Sequence, residues 1–124
     1  MAIKRVFIAN RGEIAVRINQ AAKALGITTI QAYSEADKDM MAVRIADEAI
    51  CVGPAIAKES YLDIRKMVAA AQAAGADAVH PGYGFLSESA EFARAVEAAG
   101  MIFVGPSGDT IERMGDKVAA RQAA

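Results

Sequence analysis

Ala21-Ala-Lys-Ala-Leu-Gly-Ile-Thr-Thr-Ile30, Ala70-Ala-Gln-Ala-Ala-Gly-Ala-Asp-Ala-Val79 and Arg94-Ala-Val-Glu-Ala-Ala-Gly-Met-Ile-Phe-Val104 repeat one local pattern. Each joins an alanine-rich helix end to a short apolar run through a single glycine. Glycine just past a helix takes positive φ without a Cβ clash and lets the last carbonyls be satisfied, so Gly26, Gly75 and Gly100 are expected as C-caps. Three helices therefore hand over to three strands. Upstream, Lys4-Arg-Val-Phe-Ile-Ala9 is an apolar run of strand length, and Glu48-Ala-Ile-Cys-Val52 is another between the first and second handovers.

Working outward, the pattern predicts strands over about 4–9, 28–33, 48–52, 77–80 and 102–104. Helices are expected over about 13–25, 39–46, 60–74 and 88–99, with helical turns from 107. Strands alternating with helix-length connections imply right-handed crossovers and a mainly parallel sheet covered on both faces. The strands read as apolar throughout, as two-sided burial requires. In the first helix Ile14, Ile18, Ala21, Ala22 and Leu25 recur at helical spacing and should form its buried stripe, with Arg17, Gln20 and Lys23 off it.

A chain of 124 residues is long enough for one compact domain and too short for a second core. Fourteen basic against fifteen acidic residues, for a net charge of -1, argue against a surface dedicated to nucleic acid or anionic membrane. The aromatic share of 6%, without tryptophan, leaves little stacking surface for bases, while 29 alanines point to helices packed through small side chains. No apolar run approaches the roughly 18 residues of a membrane span, and the amino terminus has no signal-peptide core. Cys51 has no partner for an internal disulfide and reads as a small core residue in an apolar strand. A reducing, cytoplasmic compartment is the expectation, with the mitochondrial matrix open to a processed chain.

In parallel sheets ligands meet the loops at the carboxyl ends of the strands, near the point where strand order reverses. The first such loop, Asn10-Arg-Gly-Glu13, stands where a dinucleotide-binding protein carries three glycines, and it has one. A nicotinamide or flavin site is disfavoured there. Two readings stay open: a turn with Glu13 stabilising the positive helix start, or a ligand contact through Arg11. Glu35 and Asp37 occupy the position of a ribose-binding acid but lack the glycine fingerprint; Asp37 or Asp39 is expected to start the short helix. His80-Pro-Gly-Tyr-Gly-Phe-Leu-Ser-Glu88 concentrates two glycines and two aromatic rings at a strand's carboxyl end, which favours a ligand-facing loop over a plain turn with Ser87 as helix cap. His80, the sole histidine, reads as a hydrogen-bonded structural imidazole, and no metal site is expected. In Met114-Gly-Asp-Lys117, Asp116 is a natural N-cap and places Lys117 in a first helical turn. A lysine there opposes the helix dipole unless an anion such as a phosphate lies nearby.

Ile8-Ala-Asn-Arg-Gly-Glu-Ile-Ala15, Ala46-Asp-Glu-Ala49, His80 to Glu88, Phe103-Val-Gly-Pro106 and Met114-Gly-Asp-Lys117, in this order and spacing, resemble the amino-terminal domain of biotin carboxylases. The resemblance implies a Rossmann-like, pre-ATP-grasp domain with a mainly parallel five-stranded sheet and helices on both faces. It would span residues 1–114, with 115–124 starting the helix that leads into the ATP-grasp region. It further implies an ATP-grasp ligase in which MgATP and bicarbonate give carboxyphosphate, whose CO2 passes to biotin on a carrier protein. By resemblance Lys117 contacts ATP, while Tyr83 and Gly84 border the carboxylation site. ATP, biotin and Mg would serve the full enzyme, with none held tightly by this chain, which should be inactive alone. No catalytic residue is matched within it. Implied partners are the rest of the biotin carboxylase, the biotin carboxyl carrier and the carboxyltransferase, with no nucleic acid and no membrane. Arg17 matches a first-helix position near the dimer contact of bacterial members, whereas Gln20 and Ala24 depart from the charged pattern there. A homodimer stays open for the full enzyme. The alternatives are a free-standing nucleotide- or anion-binding module of doubly wound fold, or a domain of another ATP-grasp ligase.

Overall fold

The computed structural model describes residues 3–105 together with Gly108 and Ile111. Five strands, β1 (Arg5–Ile8), β2 (Thr28–Ser34), β3 (Glu48–Gly53), β4 (Ala78–His80) and β5 (Ile102–Phe103), form a fully parallel sheet in the order β3-β2-β1-β4-β5. Between them run α1 (Gly12–Ala24), α2 (Met41–Ile45), α3 (Ile64–Ala73) and α4 (Ala90–Ala98). The α/β reading holds. From β1 the chain builds outward through β2 and β3, then returns to place β4 on β1's other side, so strand order reverses between β1 and β4. At that reversal Ile8 is in register with both Gln31 and His80.

The three glycine handovers form as expected. Gly26, Gly75 and Gly100 have φ of 75°, 69° and 84°. Beside them the next amide reaches back to the helix: Ile27 N–H to Ala22 at 2.9 Å, Ala76 to Ala71 at 3.0 Å, Met101 to Val96 at 3.1 Å. Each is a Schellman closure that satisfies the last carbonyls before the chain enters a strand.

Alternation along β1 divides the interior into two layers. Phe7 and Ala9 face α3 and α4, in a core with Met67, Phe92, Val96 and Phe103. Within it the Phe92 and Phe103 rings meet edge to face, centroids 6.0 Å apart, and Ile111 joins from the segment after β5. Val6 and Ile8 point the other way, into a smaller cluster with Ala15, Ala22 and Ala42 of α1 and α2. Among the described residues that second face is only partly covered. Beside α1 lies an open cavity of about 610 Å³ lined by Val6, Ile14, Ile18, Leu25, Ile27 and Val104 among others.

The stripe predicted for α1 is displaced accordingly. Ala15, Asn19 and Ala22 are the buried residues of α1; Ile14 and Ile18 are half-buried on the cavity, Ala21 is exposed and Leu25 is 77% exposed. Helical spacing located an apolar face, but α1 lays its small residues on the sheet and leaves the large ones at the opening. Cys51 is exposed, not core, because β3 is an edge strand with most of its side chains outside. Nor are the strands apolar throughout: β2 buries Thr29, Gln31 and Ser34, each of which makes hydrogen bonds. The third helix starts at Ile64, with the Asp63 side chain accepting the Lys66 N–H at 3.0 Å, so Tyr61 lies ahead of it, fully buried. At the amino end of the sheet the Asp77 carboxylate accepts the Lys4 and Arg5 amides, both at 2.8 Å, and those two bonds hold its pKa below the usual carboxylate value.

Candidate functional site

The reversal of strand order brings the loop after β1 against the loop after β4. Asn10, almost fully buried, spans the gap: its Nδ2 donates to the carbonyls of Pro81 at 2.8 Å and Tyr83 at 2.6 Å. Its Oδ1 accepts the Arg11 N–H at 2.7 Å. The loop after β4 is conformationally demanding, with φ of 66° at both Gly82 and Gly84 and 47° at Phe85. At Gly82 an added Cβ would lie 2.7 Å from Ile14 Cγ2 and 2.8 Å from Asn10 Nδ2, so the missing side chain is what lets Asn10 reach the loop. Gly84 is different: a Cβ there would meet nothing within 4 Å, so its backbone faces open space.

The two rings of this loop have separate tasks. Phe85 turns inward and packs 5.4 Å from the Tyr61 ring, centroid to centroid. Tyr83 turns out and is 78% exposed. His80 accepts the Gly82 N–H on Nδ1 at 3.1 Å, and burial lowers its pKa, which keeps the imidazole neutral and able to accept. The hydrogen bond expected of this imidazole is present. Ser89, not Ser87, caps α4 by accepting the Phe92 N–H at 3.1 Å; Ser87 belongs to the turn ahead of it.

A second cluster fixes the loop after β2. Asp37 does not start α2, whose N-cap is Met40 without a side-chain bond, and neither does Asp39. Instead Asp37 is buried and collects donors: Arg11 Nε at 2.8 Å and Nη2 at 2.6 Å in a bidentate pair, the Tyr61 hydroxyl at 2.7 Å and the Ser34 hydroxyl at 3.2 Å. Burial alone would push the carboxyl up, but the bonds from Arg11, Tyr61 and Ser34 outweigh it and the net shift is downward. Burial, reinforced by the bond to Asp37, pushes the Tyr61 phenol up to about 12. Of the two readings of the first loop, the geometry gives Arg11 a structural partner, and Glu13 pairs with Arg17 at 3.4 Å on the outside of α1. Among the described residues no group of three or more His, Cys, Asp or Glu is placed to hold a metal, and no helix is long and apolar enough to cross a membrane.

The family described as biotin carboxylase, N-terminal domain, matches residues 2–111. The chain belongs to that family. It is 56% identical over 98% of its length to a biotin carboxylase of Haemophilus influenzae, of which it covers 27%. To the propionyl-CoA carboxylase alpha chain of Ruegeria pomeroyi it is 53% identical over 97% of its length, covering 18% of that protein. Superposed on pyruvate carboxylase from Rhizobium etli it gives a TM-score of 0.88 at 46% identity, over 98% of this chain and 13% of that one. The chain thus spans about a quarter of the length of the biotin carboxylase it matches.

Within this biotin carboxylase N-terminal domain, Tyr83 and Gly84 lie together on one exposed loop at the strand-order reversal. Lys117 and its cap Asp116 lie outside the described residues. Sequence reasoning missed Asn10 and Tyr61. Asn10 carries a signal in hindsight, since a short amide directly after a first strand can bond across to a neighbouring loop, but its partners stand 71 and 73 residues away. Tyr61 carried no comparable local signal.

Proposed function

We propose that this chain is the amino-terminal domain of an ATP-dependent biotin carboxylase, with residues 1–114 forming the domain and 115–124 leading into the ATP-grasp region. In the whole enzyme ATP would activate bicarbonate as carboxyphosphate, whose CO2 would pass to the ureido nitrogen of carrier-bound biotin. The observation that carries the reading is the Tyr83–Gly84 loop, outward-facing at the reversal of strand order, in a chain of this family.

The residues present fit the biotin end of this chemistry better than the ATP end. An exposed Tyr83 ring beside the open backbone of Gly84 offers a flat wall and free space to a bicyclic ring. By contrast, the loop after β1 has one glycine and its Arg11 is engaged by Asp37, so the described residues make no cradle for a triphosphate. ATP is assigned to the rest of the enzyme and to Lys117, and Mg to the rest of the enzyme alone. Carrier and carboxyltransferase partners are inferred for the parent enzyme, as is its ATP-grasp class; a cytoplasmic or matrix location is inferred as well.

Two measurements test this. The isolated chain should show no bicarbonate-dependent ATP hydrolysis with free biotin, because the converging groups that catalysis needs lie elsewhere; appreciable turnover overturns the reading. In the full-length enzyme Lys117→Ala should raise the KM for ATP, and an unchanged KM removes Lys117 from the ATP site.

A further inference from the structure

The loop that carries Tyr83 is gripped from two sides, and the grips come from different strands. Asn10, after β1, donates to the Pro81 carbonyl, while His80, at the end of β4, accepts the Gly82 N–H. Those two groups belong to one planar peptide unit, Pro81–Gly82, so its C=O and N–H are held on opposite sides and the plane cannot rotate. Asn10 also holds the Tyr83 carbonyl at 2.6 Å, which by the same planarity turns the Gly84 N–H to the far side of that peptide.

Asn10 is itself anchored from below. Its backbone carbonyl accepts Gln31 Nε2 at 2.7 Å, and Gln31 Oε1 accepts Asn19 Nδ2 at 3.0 Å, a line of amides buried between β1, β2 and α1. The anchoring is expensive to mimic with other residues. Aspartate would set an acceptor against two carbonyls, and alanine would leave both without their donor.

We infer that Asn10 is the positioning residue of the carboxylation site: through Pro81 and Tyr83 it sets where the Tyr83 ring and the Gly84 backbone stand. This rests on the reading that Tyr83 and Gly84 border that site. Asn10 itself is buried beneath the loop and acts only through it.

The test uses the full-length enzyme that contains this domain, with free biotin as the probe. Asn10→Asp, nearly identical in shape, and Asn10→Ala should each raise the KM for biotin about tenfold, the effect of one or two net hydrogen bonds. The KM for ATP should stay within about twofold, because ATP is assigned to the rest of the enzyme and to Lys117 rather than to this loop. Tyr83→Ala runs in parallel. If Tyr83→Ala raises the biotin KM and neither Asn10 variant does, the positioning role is wrong while the site reading stands. If Tyr83→Ala leaves biotin kinetics unchanged, the site reading fails and this inference with it. A merely structural Asn10 would lower activity toward ATP and biotin alike, which also overturns the proposal. Hydrogen exchange on the 124-residue chain gives a second readout: Asn10→Asp should speed exchange of the Gly82 amide, which is bonded to His80 Nδ1, at least about tenfold while those of β2 stay protected. Unchanged exchange there counts against it.

Discussion

The two faces of the sheet are built from the same strands and finished differently. On one, α3 and α4 close over Phe7, Val79 and Phe103, and the aromatic rings of Phe92, Phe103 and Tyr61 lie in a continuous core. On the other, α1 and α2 seat alanines on Val6 and Ile8 and leave an opening about 610 Å³ in size. The contrast separates the side chains enclosed by the described elements from those left at an opening. Burial of apolar area stabilises only where a covering element is present, so Leu25, exposed at the end of α1, contributes little, while Val16 and Ile18 pack in part against the smaller cluster.

The largest effect should come from the closed face. Phe92→Ala, at a fully buried position, is expected to destabilise the chain by about 3–5 kcal/mol in urea denaturation, from lost burial and the cavity left behind. A loss under about 1 kcal/mol would mean that this core is no tighter than the open face. Next is Asp37→Ala, which strips the buried Tyr61 hydroxyl of its acceptor and Arg11 of its partner; about 1–3 kcal/mol is expected. Acid should act on the same group. The folded carboxyl sits below its unfolded value, so its contribution is complete above the ordinary carboxylate pKa of about 3.9 and is lost as pH falls through the lower folded value. The stability profile of Asp37→Ala should therefore lie closer to the parent's at pH 2 than at pH 6; parallel profiles would remove Asp37 as a source of the acid sensitivity. The smallest effect should be Leu25→Ala, on the open face, within about 0.5 kcal/mol in the isolated chain. A larger loss would show that this face is already packed.

What the sequence discloses follows the range of the interaction. Gly26, Gly75 and Gly100 were legible because a C-cap is decided within six residues, and the βα alternation they punctuate determines the parallel sheet. That 80–88 forms an unusual loop at a strand's carboxyl end was legible for the same reason, from glycines on either side of an aromatic ring, whereas the choice of Tyr83 and Gly84 within it came from the family resemblance and the inward turn of Phe85 was not foreseen. Asp37 was misread because its neighbours suit a helix cap, while its true partners, Arg11 and Tyr61, stand 26 and 24 residues away. Ser87 and Ser89 differ by a two-residue register that the extra turn at 85–88 decides. Cys51 was misplaced because the strand's composition does not reveal that β3 has a neighbour on one side only.

The bonds from Asn10 to Pro81 and Tyr83 also bear on the order of assembly. They close contours of 71 and 73 residues, whereas β1 meets β2 across only 23, from Arg5 to Thr28. Loop closure costs more as the contour lengthens, and distant parallel pairings form late. In a chain made from its amino terminus, the β1-α1-β2 unit is complete while β4 is still to be synthesised. The loop that presents Tyr83 is accordingly among the last parts of the sheet to be set, and until then the Asn10 side-chain amide waits with its donors turned to water, while Gln31 already has its partners in Asn10 and Ala32.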